Sequence, residues 1–259
     1  MKSSRELIGE FHRLAATEPN YTGDKTSLYM KLDHIAEELG KITLQTYNQV
    51  CQSYREIRRD DLKELDIKLW KVLEAYISRY ISDDPSSVKL LDVATGSGRD
   101  LIYATQLGYQ VFGADNSSGF IRILSDLQEL DLIPKGCCVQ CDMRALPFDD
   151  ATFDVVRHNA SLLHLPLIAK GFSTDLAVSE SNRVLKPGGL LYVYVKAGDS
   201  LELVDTGEGL GERVFQFFSH KTLDELFSRN GFTIIYASDD IELRNQETIE
   251  WITVIAQKD

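Results

Sequence analysis

Leu90-Leu91-Asp92-Val93-Ala94-Thr95-Gly96-Ser97-Gly98-Arg99-Asp100 is the stretch on which the fold turns. Leu90 to Val93 is a short apolar run of the buried-strand kind, and a helix is expected to start near Arg99. Between them lie two glycines. Glycine has no Cβ and accepts positive φ, so a ligand can lie against bare backbone there. In open α/β sheets ligands sit beyond the carboxyl ends of the strands, which is where this turn falls. A tight strand-to-helix connection with no ligand explains an isolated GxG equally well.

Outward from this turn, short β-branched runs alternate with longer helical patterns from Val88 to Asp259. Strands are expected at 88–93, 109–114, 137–141, 153–158, 190–196, 232–238 and 250–257. The first five are spaced widely enough for crossover helices, so they form a parallel sheet. The last two are separated only by the mostly polar stretch from Asp239 to Ile249 and read as an antiparallel pair. The expected fold is α/β: a doubly wound, mostly parallel seven-stranded sheet with an antiparallel last strand, Rossmann-like, plus a helical N-terminal extension. Residues 1–85 form that extension, expected to cover the active site, and residues 86–259 form the ligand-binding domain. In the extension the helical pattern breaks at Pro19 to Asp24 and again near Gly40, while Leu65, Leu69, Val72, Leu73, Tyr76, Ile77 and Tyr80 mark a helix packed on the sheet.

Composition narrows the function. The 259 residues are 43% hydrophobic and 26% charged, which suits a folded globular chain. The net charge of −12, from 28 basic and 40 acidic residues, repels nucleic acid and anionic lipid. A basic cluster at Arg55, Arg58, Arg59 and Lys63 is interrupted by Asp60 and Asp61 and reads as a solvated helix face. No apolar run reaches the roughly 18 residues of a membrane helix, and the start lacks an apolar signal core, so a cytoplasmic address is expected. Three of the four cysteines (Cys137, Cys138 and Cys141; Cys51 is the fourth) share one run. Cys138 and Cys141, three apart on a strand, would point to opposite faces, so no metal site is expected.

Two further acids extend the signal. Val111-Phe112-Gly113-Ala114-Asp115 is a strand ending in a carboxylate, the usual acceptor for the hydroxyls of an adenosine ribose. Cys138-Val139-Gln140-Cys141-Asp142-Met143 ends in another, placed to read an adenine edge, with Met143 against the ring. Each acid alone could cap a helix, but three strand ends on one rim favour an adenosine-containing ligand. A dinucleotide fingerprint wants GxGxxG, and here the third position is Leu101. Asp92 and Asp100 would also repel a pyrophosphate while suiting an ammonium and a sulfonium.

From Leu90 onward the chain resembles class I S-adenosylmethionine-dependent methyltransferases of the small-molecule type. The motifs in order are LLDVATGSGRD, VFGADNSS, CDMRALPFDDATFDVV, HNASLLHLP, RVLKPGGLLYV and FFSHKTLDELFSRNGF. The resemblance covers roughly residues 45–257 and implies S-adenosyl-L-methionine as cofactor. It implies that Asp92 and the loop Ala94, Thr95, Gly96 and Gly98 hold the methionine part and that Asp115 holds the ribose. Asn116 would lie beside the adenine, Asp142 with Met143 would read its edge, and Asn159 would sit beneath the sulfonium. The family more often has Gly-Cys where this chain has Ala94-Thr95. Upstream, Thr46 to Tyr54 resembles a tyrosine-bearing helix folded over the cofactor, with Tyr54 reaching the methionine carboxylate; Tyr47 and Tyr54 packing on one helix face is the plain alternative.

Methyl transfer from a sulfonium mainly needs alignment and exclusion of water. A base is required only for some acceptors, and His158 and His164, near the fourth strand, are the candidates among His12, His34, His158, His164 and His220. The loop from Lys196 to Ser219, with Asp199, Glu202, Asp205, Glu208 and Glu212 among Gly207, Gly209 and Gly211, suggests either a mobile acidic edge suited to a cationic acceptor or a solvated loop. The expected function is methyl transfer to an O or N atom of a small-molecule acceptor, with no nucleic-acid or membrane partner; a homodimer is one assembly the sequence allows. A nicotinamide-dependent oxidoreductase and a non-catalytic cofactor-binding partner are the competing readings.

Overall fold

A computed structural model describes residues 2–58, 62–205, 210–244 and 247–259. Its central sheet has seven strands in the order β3-β2-β1-β4-β5-β9-β8. These are β1 (Lys89–Val93), β2 (Gln110–Asp115), β3 (Cys138–Gln140), β4 (Phe153–Asn159), β5 (Leu185–Lys196), β8 (Phe232–Arg244) and β9 (Glu247–Lys258). The first five pair in parallel, whereas β9 runs antiparallel to both β5 and β8. The order reverses at β1, so the carboxyl ends of β1, β2 and β4 converge on one crevice.

Helices α1 (Ser4–Thr17), α2 (Lys25–Arg58) and α3 (Glu64–Tyr80) precede the sheet. Between its strands run α4 (Arg99–Gln106), α5 (Ser118–Glu129), α6 (Thr174–Val184) and α7 (His220–Ser228). Leu69, Trp70, Leu73 and Ile77 of α3 pack into the main core with β1, β4 and β5, as their three-four spacing requires. Leu7 and Phe11 of α1, with Leu28, Leu32, Ile35, Ala36 and Leu39 of α2, form a second cluster over Leu201 and Val214.

Three expectations need correction. Helix α2 does not break near Gly40; it runs unbroken from residue 25 to 58. Glycine inside a helix costs about 1 kcal/mol, and here the flanking leucines bury enough apolar surface to carry the helix through. The segment from Lys196 to Ser219 is not a plain loop, because β6 (Leu201–Asp205) and β7 (Glu212–Gln216) form an antiparallel hairpin. Leu201 and Val214 fall on its buried side, against α1 and α2, and that burial holds the hairpin in place. The polar stretch 239–249 is largely strand, since β8 and β9 continue through it and leave Ile241 and Leu243 exposed. Gly207, Glu208 and Gly209 of the proposed acidic edge lie outside the described residues, as do Arg59, Asp60 and Asp61 of the basic cluster.

Candidate functional site

The turn after β1 is built as its glycines dictate. Gly96 has φ +58°, and a Cβ placed on it would meet no atom within 4 Å. Bare backbone therefore faces open space. Gly98, at φ +82°, has a different job: a Cβ there would come within 2.7 Å of Leu124 and Leu127. It lets α4 start close against α5 and does not line the cavity. Ala94 takes φ +56°, a left-handed conformation that costs a residue with a Cβ roughly 1–2 kcal/mol. This is the position where the family resemblance leads one to expect glycine.

Beyond this turn lies a cavity of about 480 Å³. It brings together Tyr54, Asp92, Ala94, Thr95, Gly96, Asp115, Asn116, Asp142, Met143, Asn159 and His164. The second glycine apart, every cofactor-contact residue expected from the sequence therefore faces one space. His158 does not. Its side chain is wholly buried, with Nδ1 3.0 Å from the Ser161 hydroxyl and Nε2 2.9 Å from that of Ser181. Burial drives its pKa down to about 3, so it is a neutral core histidine. His12 and His220 bond to Leu201 O and Asp239 outside the cavity. Asp199, Glu202 and Glu212 do not line it either, and Glu212 turns to Ser4 and Arg5.

The acids at the rim differ in state. Both carboxylate oxygens of Asp115 accept backbone N–H groups, from Gly96 and Ser117 at 2.8 Å each. Burial outweighs these bonds and pushes its pKa up to about 6. Asp142 accepts from Nε and Nη2 of Arg144, the shorter contact being 2.7 Å. Burial would raise Asp142, but that guanidinium holds it below the ordinary carboxylate range.

Beneath the turn lies a charge network that sequence reading overlooked. Arg157 on β4 is the cross-strand neighbour of Asp92 on β1 and is 2% exposed. Its Nη1 donates to Asp92 at 3.0 Å, its Nη2 sits 3.0 Å from Asp100, and its guanidinium stacks 4.6 Å above the Trp70 ring. Asp100 also accepts from Trp70 Nε1 at 2.8 Å, and Arg99 reaches from Asp100 to Asp66. Burial would raise Asp100, yet Arg157 and Arg99 hold it below its usual range; Asp92, equally buried, is pushed upward. The negative charge read at this turn is therefore largely compensated. The available signal was an arginine directly following the apolar pair Val155-Val156 within a strand, Phe153–Asn159.

Tyr47, read as a packing residue, bonds through its hydroxyl to His164 Nε2 at 2.8 Å. His164 Nδ1 lies 2.8 Å from the Val214 carbonyl, which only accepts, so Nδ1 carries the proton and Nε2 receives the Tyr47 O–H. Arg213 donates to the Tyr47 oxygen at 3.2 Å. Burial lowers His164 to about 3 and raises Tyr47 to about 12. The pair rests neutral at the cavity wall, under the hairpin and α2.

Comparison with known proteins agrees with this geometry. A family described as "Methyltransferase domain" matches residues 91–193. The chain is 26% identical over 235 residues to a ubiquinone/menaquinone biosynthesis C-methyltransferase UbiE of Saccharophagus degradans, covering 86% of this chain and 84% of that protein. It is 30% identical to the UbiE of Paraburkholderia xenovorans over 62% of this chain and 63% of that one. In fold it is similar to the 1,6-didemethyltoxoflavin-N1-methyltransferase of Burkholderia thailandensis, solved with its substrate and S-adenosylhomocysteine, at a TM-score of 0.63, 19% identity, and coverage of 86% and 89%. An open glycine turn, carboxylates at successive strand ends and the apolar Met143 and Phe120 form a donor set that fits an adenosine ligand with a cationic methionine tail. With the sheet order and the sequence relatives pointing the same way, the chain is a class I S-adenosylmethionine-dependent methyltransferase.

Proposed function

We propose that this enzyme methylates an O or N atom of a small molecule held against α2 beside the Tyr47–His164 pair. The observation that carries the reading is one cavity uniting the glycine turn, the acid rim and that pair. Pockets of roughly 300–1,000 Å³ accommodate small ligands, and this one falls in that range. Ala36, Gly40, Thr43 and Leu44 of α2, with the charged Glu37 and Lys41 among them, supply a wall of mixed polarity for the acceptor.

When bound, S-adenosylmethionine supplies an electrophilic methyl group on a positively charged sulfur. Asp92 and the backbone of Ala94 to Gly96 hold its methionine part, with Tyr54 near the carboxylate. Asp115 takes the ribose hydroxyls, Asn116 flanks the adenine, and Asp142 with Met143 reads its edge. Asn159, whose Nδ2 donates to Asp100 at 3.4 Å, lies toward the sulfonium. For an acceptor that must lose a proton, Tyr47 takes it while passing its own to His164 Nε2. Residues 1–85 serve as the cover and residues 86–259 as the methyltransferase domain, although α3 of the cover belongs to the main core. The four unpaired cysteines support a cytoplasmic setting.

A second reading, transfer to carbon, is favoured by the name C-methyltransferase carried by the sequence relatives. Incubation with labelled donor and a panel of phenols, amines and quinone precursors, followed by mapping of the methylated atom, separates the two. Tyr47→Phe should lower the turnover rate on the order of 10²-fold with donor affinity nearly unchanged. An unchanged rate would remove the base from the scheme.

A further inference from the structure

We propose that Arg157 is a positioning residue that opposes proton uptake by the acid pair Asp92 and Asp100 and leaves one buried negative charge for the cationic end of the cofactor. The inference rests on the placement of the methionine part at Asp92 proposed above.

The argument is one of charge and geometry. Asp66, Arg99, Asp100, Arg157 and Asp92 form a chain of alternating sign across α3, α4, β4 and β1, with contacts of 3.0 to 3.6 Å. Three carboxylates face two guanidiniums, so one negative charge remains. Asp92, Arg99 and Asp100 line the cavity, whereas Asp66 and Arg157 lie behind it. Arg157 engages Oδ1 of Asp92 at 3.0 Å, the Thr95 hydroxyl also donates to this carboxylate, and Arg157 is the one guanidinium in contact with it among the described residues. Trp70 and Tyr192 sandwich the guanidinium at 4.6 and 5.2 Å and fix its plane. The uncompensated charge thus points where an ammonium would complete the series.

Without Arg157 the two acids would lie in a buried site with no cation between them, and such a pair shares a proton. The other groups facing Asp92 reinforce this. Asp115 on β2 and Cys138 on β3 bring no positive charge, Thr95 offers only a hydroxyl, and Arg99 is already shared between Asp66 and Asp100. A cation arriving at the variant site must then expel that proton. Arg157 opposes that proton, since its guanidinium favours the ionised form of both acids against their burial.

Calorimetric titration of the full chain with S-adenosylmethionine, at pH 7 in buffers of different ionisation enthalpy, reads both affinity and protons exchanged. Wild type should release fewer protons on binding than a variant lacking the guanidinium. Arg157→Met should bind about tenfold to a hundredfold more weakly and release up to about one proton per cofactor. In the double variant Arg157→Met/Asp100→Asn the single excess negative charge is restored; proton release should vanish and most of the affinity return, a recovery that a side chain needed only for packing would not show. Arg157→Lys, which keeps the charge but not the fork, should weaken binding without proton release. Near wild-type affinity with no proton release in Arg157→Met would overturn the proposal, as would a loss that Asp100→Asn does not recover. Absence of binding by wild type would instead overturn the cofactor placement.

Discussion

At the residue scale, Asp115 combines two opposed effects of one carboxylate. Burial lifts its pKa to about 6 in the folded protein, well above the ordinary carboxylate value. A raised folded pKa means its contribution to stability is fully present below the unfolded pKa and is lost as pH rises through about 6. The empty protein should therefore gain stability from this group on mild acidification. A ribose donates its hydroxyls to the ionised form, so donor affinity should fall below that same pH. Thermal melts with and without S-adenosylmethionine between pH 5 and 8 check both signs; a cofactor-induced rise in Tm that stays constant to pH 5 would contradict them. Asp115→Ala should weaken donor binding by about 1–3 kcal/mol. His158 and His164 both stay neutral near pH 7, so the rate profile should carry no step from either imidazole in the range where histidine usually titrates.

The strand-end acids and the Gly96 turn were legible in the sequence because their meaning is local: each follows its own strand directly. Arg157 was not, since its partner Asp92 lies 65 positions earlier and meets it only through the β1–β4 register. Tyr47 was read as packing for the same reason, as His164 and Arg213 reach it only after the chain has folded back.

At the scale of elements, α2 is the piece on which the cavity depends. It is pinned to the start of α5 by Asn48, whose Oδ1 accepts from the Ser117 hydroxyl at 2.8 Å and from the Gly119 N–H at 3.2 Å. Gly119 permits the close approach, since a Cβ there would fall 2.7 Å from Cys51 Sγ. Asn48→Ala should cost about 1–2 kcal/mol of stability and speed cofactor release. Denaturant unfolding and stopped-flow dissociation measure the two, and an unchanged release rate would show that this pin does not hold the roof. The parallel strands β1, β2, β4 and β5 were legible as apolar runs, whereas β3 is shorter than the run 137–141 read from the sequence and only half-buried to exposed. The β6–β7 hairpin was hidden by its glycines and acids, because its strands gain their burial from α1 and α2 rather than from the sheet.

At the scale of the molecule, the described residues form three hydrophobic clusters, a small one of Cys51, Phe120 and Ile123 between α2 and α5 and two larger ones that divide the labour. Of these two, the main one runs through the sheet, α3 and the flanking helices, while the lesser one joins α1 and the first half of α2 to the hairpin. Small clusters open more readily than large cores. Amides of α1, residues 25–45 and β6–β7 should therefore exchange with deuterium faster than those of β1, β4 and β5. Adding S-adenosylhomocysteine should slow exchange in α2 and at the turn after β1 most. Equal exchange in both clusters, with no protection on ligand addition, would contradict this division.

The most direct measurement is a crystal structure of the complex with S-adenosylhomocysteine. The ribose hydroxyls should lie within hydrogen-bonding distance of Asp115, the adenine against Met143, the amino group beside Asp92, and the sulfur toward the Tyr47–His164 pair. A ligand bound outside this cavity, or reversed within it so that Asp115 faces the amino acid end, would contradict the account.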